Sequence, residues 1–201
     1  MTRRAQLADI VPLRPPQPRP APELSDEALL AACTADDSAA LGALFDRHHE
    51  AIYRLISRLL RSDPSEIDDL VQTTFLEAWR SARRFSGRGS VKSFLYGIAA
   101  NTVRHHIRGA TRRRNAMIDL PQPTAGSSPE LALSRAQQLH MLAVALDDLP
   151  HDLRVAYVLC DLEDVPGVEV ARLLGVRAGT LWRRLHEARR ALRTAIEGAS
   201  P

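Results

Sequence analysis

The chain has 201 residues, enough for one ordinary domain or two small ones. Only 4% of them are aromatic, while Ala, Leu and Arg abound, a balance that favours helices and offers little for a β-sandwich core. Net charge is only +3, but the pI is near 9.3 and the arginines cluster in a few segments, the pattern that supplies salt-dependent nucleic-acid affinity or, more plainly, a solvated basic face.

Lys92 is the only lysine, so the basic chemistry is that of arginine, which forks onto phosphate and guanine, although a genome-wide codon bias gives the same excess. Cys33 and Cys160 are far apart and belong to no metal-binding pattern. Cys160 follows Leu153, Ala156 and Tyr157 at helical spacing and is expected to be a buried core thiol. The pairs His48-His49 and His105-His106 are adjacent, so on a helix they diverge by about 100° and chelate poorly. No metal site or cofactor is expected. No apolar run reaches the roughly eighteen residues of a membrane span. Prolines rather than an apolar stretch follow Arg3-Arg4, so no export signal is expected and the chain reads as cytoplasmic.

In chain order, residues 1–22 are Pro-rich and read as a disordered or polyproline arm. Ser25-Asp26-Glu27 and Asp37-Ser38 are helix starts. Leu41, Leu44, Phe45, His48, Ile52, Leu55, Ile56 and Leu59 trace a long amphipathic helix, broken at Ser62-Asp63-Pro64. The next helix turns Ile67, Leu70, Val71, Thr74 and Ala78 inward. Its other surface carries Asp68, Asp69, Gln72, Leu76 and Trp79, a mixture of acid, amide and apolar groups that suits a protein interface. Asp68 and Asp69 are adjacent and splayed, with no His beside them, so an acid–base catalytic pair is disfavoured.

A basic loop follows, Arg83-Arg84-Phe85-Ser86-Gly87-Arg88-Gly89, and Ser90 is placed to cap a further helix. That helix sends Phe94, Leu95, Ile98, Ala99 and Val103 inward and aligns Asn101, Arg104, His105, Arg108 and Arg112 as one polar-basic strip. The strip reads either as a solvated face or, with Phe85 and the Asn101 amide beside it, as a track for single-stranded DNA. Residues 115–134 hold Pro121, Pro123, Gly126 and Pro129 and read as a flexible linker. Helices are expected around Leu139–Leu146 and Asp152–Leu162. A helix-turn-helix closes the chain, with Gly175 at the turn. Its second helix buries Leu181, Leu185, Ala188 and Leu192 and offers Arg183, Arg184, His186, Arg189 and Arg190 outward, as suits a major groove. There is no Gly-rich phosphate loop, nucleophile elbow or metal cluster, so no catalysis is expected.

The order of these pieces resembles the extracytoplasmic-function group of sigma factors, within the sigma-70 family. Ile67 to Trp79 resembles the family's core-polymerase-binding helix, and Ser93 to Asn101 its promoter-melting helix. Leu149-Pro150 through Arg154, Gly179-Thr180-Leu181 and Leu185 to Arg189 resemble its second DNA-binding module. The resemblance covers roughly residues 25 to 198.

It implies an all-α protein of two helical modules, region 2 at 23–114 and region 4 at 135–198, joined by the 115–134 linker. It implies that Asp68, Asp69, Gln72, Thr73, Leu76 and Trp79 meet the clamp helices of the largest core RNA polymerase subunit. Arg84, Phe85, Arg88, Asn101, Arg104, His105 and Arg108 would take the minus-ten element as single strand, with Phe85 and Asn101 holding a flipped base. Arg177, Thr180, Trp182, Arg183, Arg184, His186, Arg189 and Arg190 would read the minus-thirty-five element as duplex, with region 4 also touching the polymerase flap. An anti-sigma factor is implied as a further partner. The chain departs from the family pattern at Thr73, where an acid is common, and at Phe94, where Trp is frequent. Trp182 and Glu187 stand where basic residues are frequent. The rival reading is a stand-alone helix-turn-helix regulator, which has no need of the Asp69/Gln72 helix.

Overall fold

A computed structural model describes residues 24–60, 63–116 and 135–197. The Pro-rich arm and nearly all of the 115–134 linker lie outside these residues. Eight α-helices, and no strand, occur among the described residues.

The first module is built from α1 (Asp26–Cys33), α2 (Ser38–Leu59), α3 (Pro64–Ser81) and α4 (Val91–Ala116). Side-chain caps start three of them. Ser25 Oγ accepts from the Ala28 amide, Asp37 from Ala39 and Ala40, and Ser90 Oγ from Ser93. Each satisfies amides that the first turn leaves without helical partners. Pro64 opens α3, where a missing N–H costs nothing. Arg47 and His48 on α2 reach Asp26 and fasten α1 to it. Burial alone would raise the Asp26 carboxyl, but these bonds outweigh it and hold it below the usual range.

The second module comprises α5 (Arg135–Asp148), α6 (His151–Tyr157), α7 (Gly167–Leu173) and α8 (Ala178–Glu197). Gly175 takes φ +65 at the turn between α7 and α8, as its position in the sequence requires. Leu181, Leu185, Ala188 and Leu192 are buried, as their spacing predicts. One expectation is corrected here. The helix read over 152–162 does not continue regularly; after Tyr157 it widens into a π-helical turn, Val158–Leu162, closed by the Glu163 amide on the Val158 carbonyl. The extra residue moves Val158 and Leu159 fully into the core and leaves Cys160 only partly buried.

The modules are not two isolated cores. Buried side chains form one contiguous cluster that runs from Leu29 to Leu192. Leu95 of α4 and Leu159 of the π turn are both fully buried in it. Truncating either to Ala costs about 2–5 kcal/mol.

Candidate polymerase and nucleic-acid interfaces

The residues singled out from the sequence fall on three surfaces. On α3, Asp68, Asp69, Gln72 and Thr73 are exposed, Leu76 is 48% exposed and Trp79 is half-buried. Apolar area left open beside acids and an amide is characteristic of a docking face. The Thr73 hydroxyl is occupied, donating to the Asp69 carbonyl at 2.8 Å. Leu76 and Trp79 also wall a cleft of about 410 Å³ with Cys33 at the end of α1, Thr34 and Asp36 just after it, and Arg80 and Arg83. The α1 wall had no signal in the sequence, since only tertiary packing brings it there.

The second surface joins the basic loop to α4. Phe85 is half-buried and tilts against Phe94, ring centres 5.4 Å apart. Arg84 and Arg88 are exposed, and Gly87 turns the loop at φ +67. Asn101 and Arg104 are bonded to each other, the guanidinium donating to the amide oxygen at 2.9 Å. With His105, Arg84, Ile98 and Glu77 they line a groove of about 410 Å³. Arg108 and Arg112 continue the strip in the open.

The second module lies against this surface. Asn101 and Arg104 face His151, Asp152, Leu174 and Arg184 across a space of about 10 Å³. Burial pushes the His151 imidazole down to about 4, and Arg154, Arg104 and Arg108 add to the effect, against Asp152. Neither His151 ring nitrogen has a hydrogen-bond partner. A pocket of about 380 Å³ beside Phe85 and Phe94 has Glu169, Arg172 and Leu173 of α7 as its far wall. The Glu169 carboxylate sits so close to Gly89 that a Cβ there would meet Oε1 at 1.8 Å. Leu173 rests on Gly97, where a Cβ would lie 2.9 Å from it.

Glu163, directed inward by the π turn, clasps the two modules. It accepts from Arg58 of α2 and, at 2.6 Å, from the Tyr96 hydroxyl of α4. Burial and this carboxylate raise the Tyr96 phenol well above its usual range. Arg154 of α6 donates to the carbonyl of Leu59 at the end of α2. Glu163 and Arg58 were not among the residues singled out from sequence; no local pattern marks them.

The third surface is α8. Its basic residues divide into two sets. Arg184 is paired with Asp152, and Arg189 forks onto Asp161 at 2.8 and 2.6 Å, which raises the guanidinium further. Arg183 makes a looser pair with Glu187 at 3.3 Å. Arg177, Trp182, His186 and Arg190 stand exposed, and Thr180 is partly covered at the helix start. No group of three or more His, Cys, Asp or Glu able to hold a metal occurs among the described residues. None of their helices is long and apolar enough to cross a membrane.

Comparison with known proteins agrees with this layout. Residues 44–113 match the family Sigma-70 region 2, and residues 139–192 match Sigma-70, region 4. The ECF RNA polymerase sigma factor SigM of Mycobacterium tuberculosis is 34% identical over 167 residues, covering 83% of this chain and 82% of its own. The chain belongs to the ECF sigma factors. The ECF RNA polymerase sigma-E factor of Escherichia coli K12 is 26% identical over 87% of this chain and 96% of its own. The fold is shared with CnrH, solved in complex with the cytosolic domain of CnrY, at TM-score 0.62 and 24% identity over 87% of this chain and 99% of that one. It is shared too with the sigma factor RpoE of Bartonella quintana, solved with the anti-sigma factor NepR, at 0.61 and 22% over 78% and 96%. As a sigma factor, the protein directs promoter-specific transcription initiation by RNA polymerase and is not an enzyme. The region 2 match spans parts of α2 to α4, and the region 4 match parts of α5 to α8.

Proposed function

We propose that region 2 docks on the clamp helices of the largest polymerase subunit through Asp68, Asp69, Gln72, Thr73, Leu76 and Trp79. The observation that carries this is the exposed apolar Leu76 set among acids and an amide on α3. Region 2 then takes the minus-ten element as single strand. Phe85 with Phe94 supplies an aromatic wall for an extruded base, Asn101 an amide for its edge, and Arg84, Arg88, Arg104, His105 and Arg108 a cationic path for backbone. Stacking and charge offset the cost of leaving the duplex stack. Region 4 reads the minus-thirty-five element with α8 and touches the flap. Arg177, Thr180, Trp182, Arg183, His186 and Arg190 are the nearest at hand, and Arg184 and Arg189 take part on release from Asp152 and Asp161.

An anti-sigma factor is the natural regulator, since the sigma factor RpoE of Bartonella quintana, which shares the fold, is solved with the anti-sigma factor NepR. The test is capture of core RNA polymerase by the full chain, followed by run-off transcription on genomic fragments. Core binding with selective new transcripts supports the assignment. Duplex binding without core binding would instead favour a stand-alone regulator, a reading that draws on the open α8 beside a covered Asn101–Arg104 strip.

A further inference from the structure

We infer that Trp182 is a specificity residue that reads the 5-methyl group of a thymine in the upstream promoter duplex, from a position fixed by Gly167. The inference rests on the reading of α8 as the duplex-recognition helix.

Trp182 lies in the second turn of α8, between the buried Leu181 and the exposed Arg183. In a helix-turn-helix, the early residues of the second helix meet base edges, while the first helix crosses the backbone. The indole is 51% exposed, yet one edge of it is firmly seated. Its Cη2, Cζ2 and Cζ3 atoms lie 2.7, 2.9 and 3.3 Å from where a Cβ of Gly167 would stand. Only a glycine at the start of α7 leaves room for this ring. The indole therefore bridges the two helices of the motif and has little freedom to lose on binding.

Beside it Val168 is 74% exposed, so the outer edge of the motif is an apolar step. His186 one turn along α8, Arg190 two turns along and Arg177 just before the helix are also exposed, and Arg183 next to Trp182 is loosely paired with Glu187. A protein partner would meet a strongly cationic rim there, whereas a DNA groove supplies the matching anionic one. Within the major groove the only apolar group on a base edge is the thymine methyl. A rigid apolar ring held at a groove-facing position fits that group and makes no hydrogen bond that would favour guanine or adenine. The same geometry makes Gly167 a positioning residue.

The experiment uses the full chain with core RNA polymerase. Upstream duplex sites are first selected from random sequence, and each thymine is then replaced in turn by deoxyuridine, which lacks only the methyl. At one or two thymines the wild type should lose about fourfold in affinity, the worth of one buried methyl. Trp182→Ala should bind more weakly at those sites and show no further loss with deoxyuridine. Trp182→Phe should keep part of the discrimination, and Gly167→Ala should blunt it by displacing the ring. Thermal melting separates these effects from loss of fold. If deoxyuridine is neutral everywhere while Arg183→Ala still weakens the duplex, the inference fails and the reading of α8 stands. If Arg183→Ala is neutral as well, the reading of α8 itself fails. If Trp182→Ala weakens capture of core polymerase and leaves duplex affinity unchanged, the apolar step is a protein contact and the inference is overturned.

Discussion

In region 2, Asn101 and Arg104 lie under α6 and α8, and the pocket beside Phe85 has Glu169 as a wall; in region 4, Trp182 rests one edge on Gly167 and is otherwise open, and His186 and Arg190 are exposed. The two surfaces proposed to meet nucleic acid thus differ in access although both are basic and helical. Polar contacts cross between the modules, with Arg58 and Tyr96 on Glu163, Arg154 on a carbonyl and Arg172 near Ser86, and they lie beside apolar ones that include Leu173 on Gly97 and the shared buried cluster. On the proposed reading, parting the modules would widen access to the Asn101–Arg104 face, while α8 is already open.

The largest expected effect lies outside the covered interface and sets the scale for the rest. Asp69→Ala with Gln72→Ala should abolish core capture and run-off transcription, while the melting temperature stays within a few degrees, because both side chains are exposed. Unchanged core capture would remove α3 from the docking surface. The next effect bears on the comparison directly. Gly97→Leu drives a side chain into Leu173 and overpacks the module interface by about 1–3 kcal/mol. Scattering should report a larger radius, and the free chain should bind a minus-ten single strand about tenfold better. Adding Leu173→Ala should restore the compact form. A compact Gly97→Leu chain would mean that the modules separate along some other line.

A smaller effect divides the arginines of α8. Arg183→Ala should weaken the minus-thirty-five duplex by about 1–3 kcal/mol if the side chain makes a good base contact. Arg184→Ala should weaken it less, since that side chain is held by Asp152. Fluorescence anisotropy on a fixed duplex ranks the two. The reverse ranking would show that Arg184 leaves its acid for DNA.

Sequence reading went furthest where the signal is local. The apolar spacing of α2, α3 and α8 identified their buried faces, and the exposed residues of α3 follow from the same wheel; on α4 it found Leu95, Ala99 and Val103 but passed over the buried Tyr96 and Ala100, while Phe94 and Ile98 are only partly covered. Gly175 was legible because only its turn position demands a positive φ. What escaped was non-local. The acids that hold Arg184 and Arg189 lie 32 and 28 positions earlier, so α8 looked uniformly outward. The π turn has no propensity signature; it changed the face on which Cys160 falls and aimed Glu163 at Arg58, 105 positions away. Gly167 reads as an ordinary loop residue until Trp182 is seen lying on it.

The smallest effect tests the same interface through pH. His151 is lowered to about 4 from an ordinary value of 6.5, chiefly by burial. Between those values the unfolded chain binds a proton that the folded chain excludes, so folded stability rises with pH across this window. It is fully present above about 6.5 and is lost as pH falls toward about 4. His151→Leu keeps an apolar side chain in the space and removes the titration. Its unfolding free energy should therefore vary less between pH 6.5 and 4 than that of the wild type. Arg104 and Arg108 are among the charges that disfavour the imidazolium, so the depression depends partly on region 2 staying docked. In Gly97→Leu, with the modules apart, the His151 titration followed by NMR should move back toward 6.5. An unmoved titration in that variant would place the burial of His151 within region 4 alone and remove it from the interface.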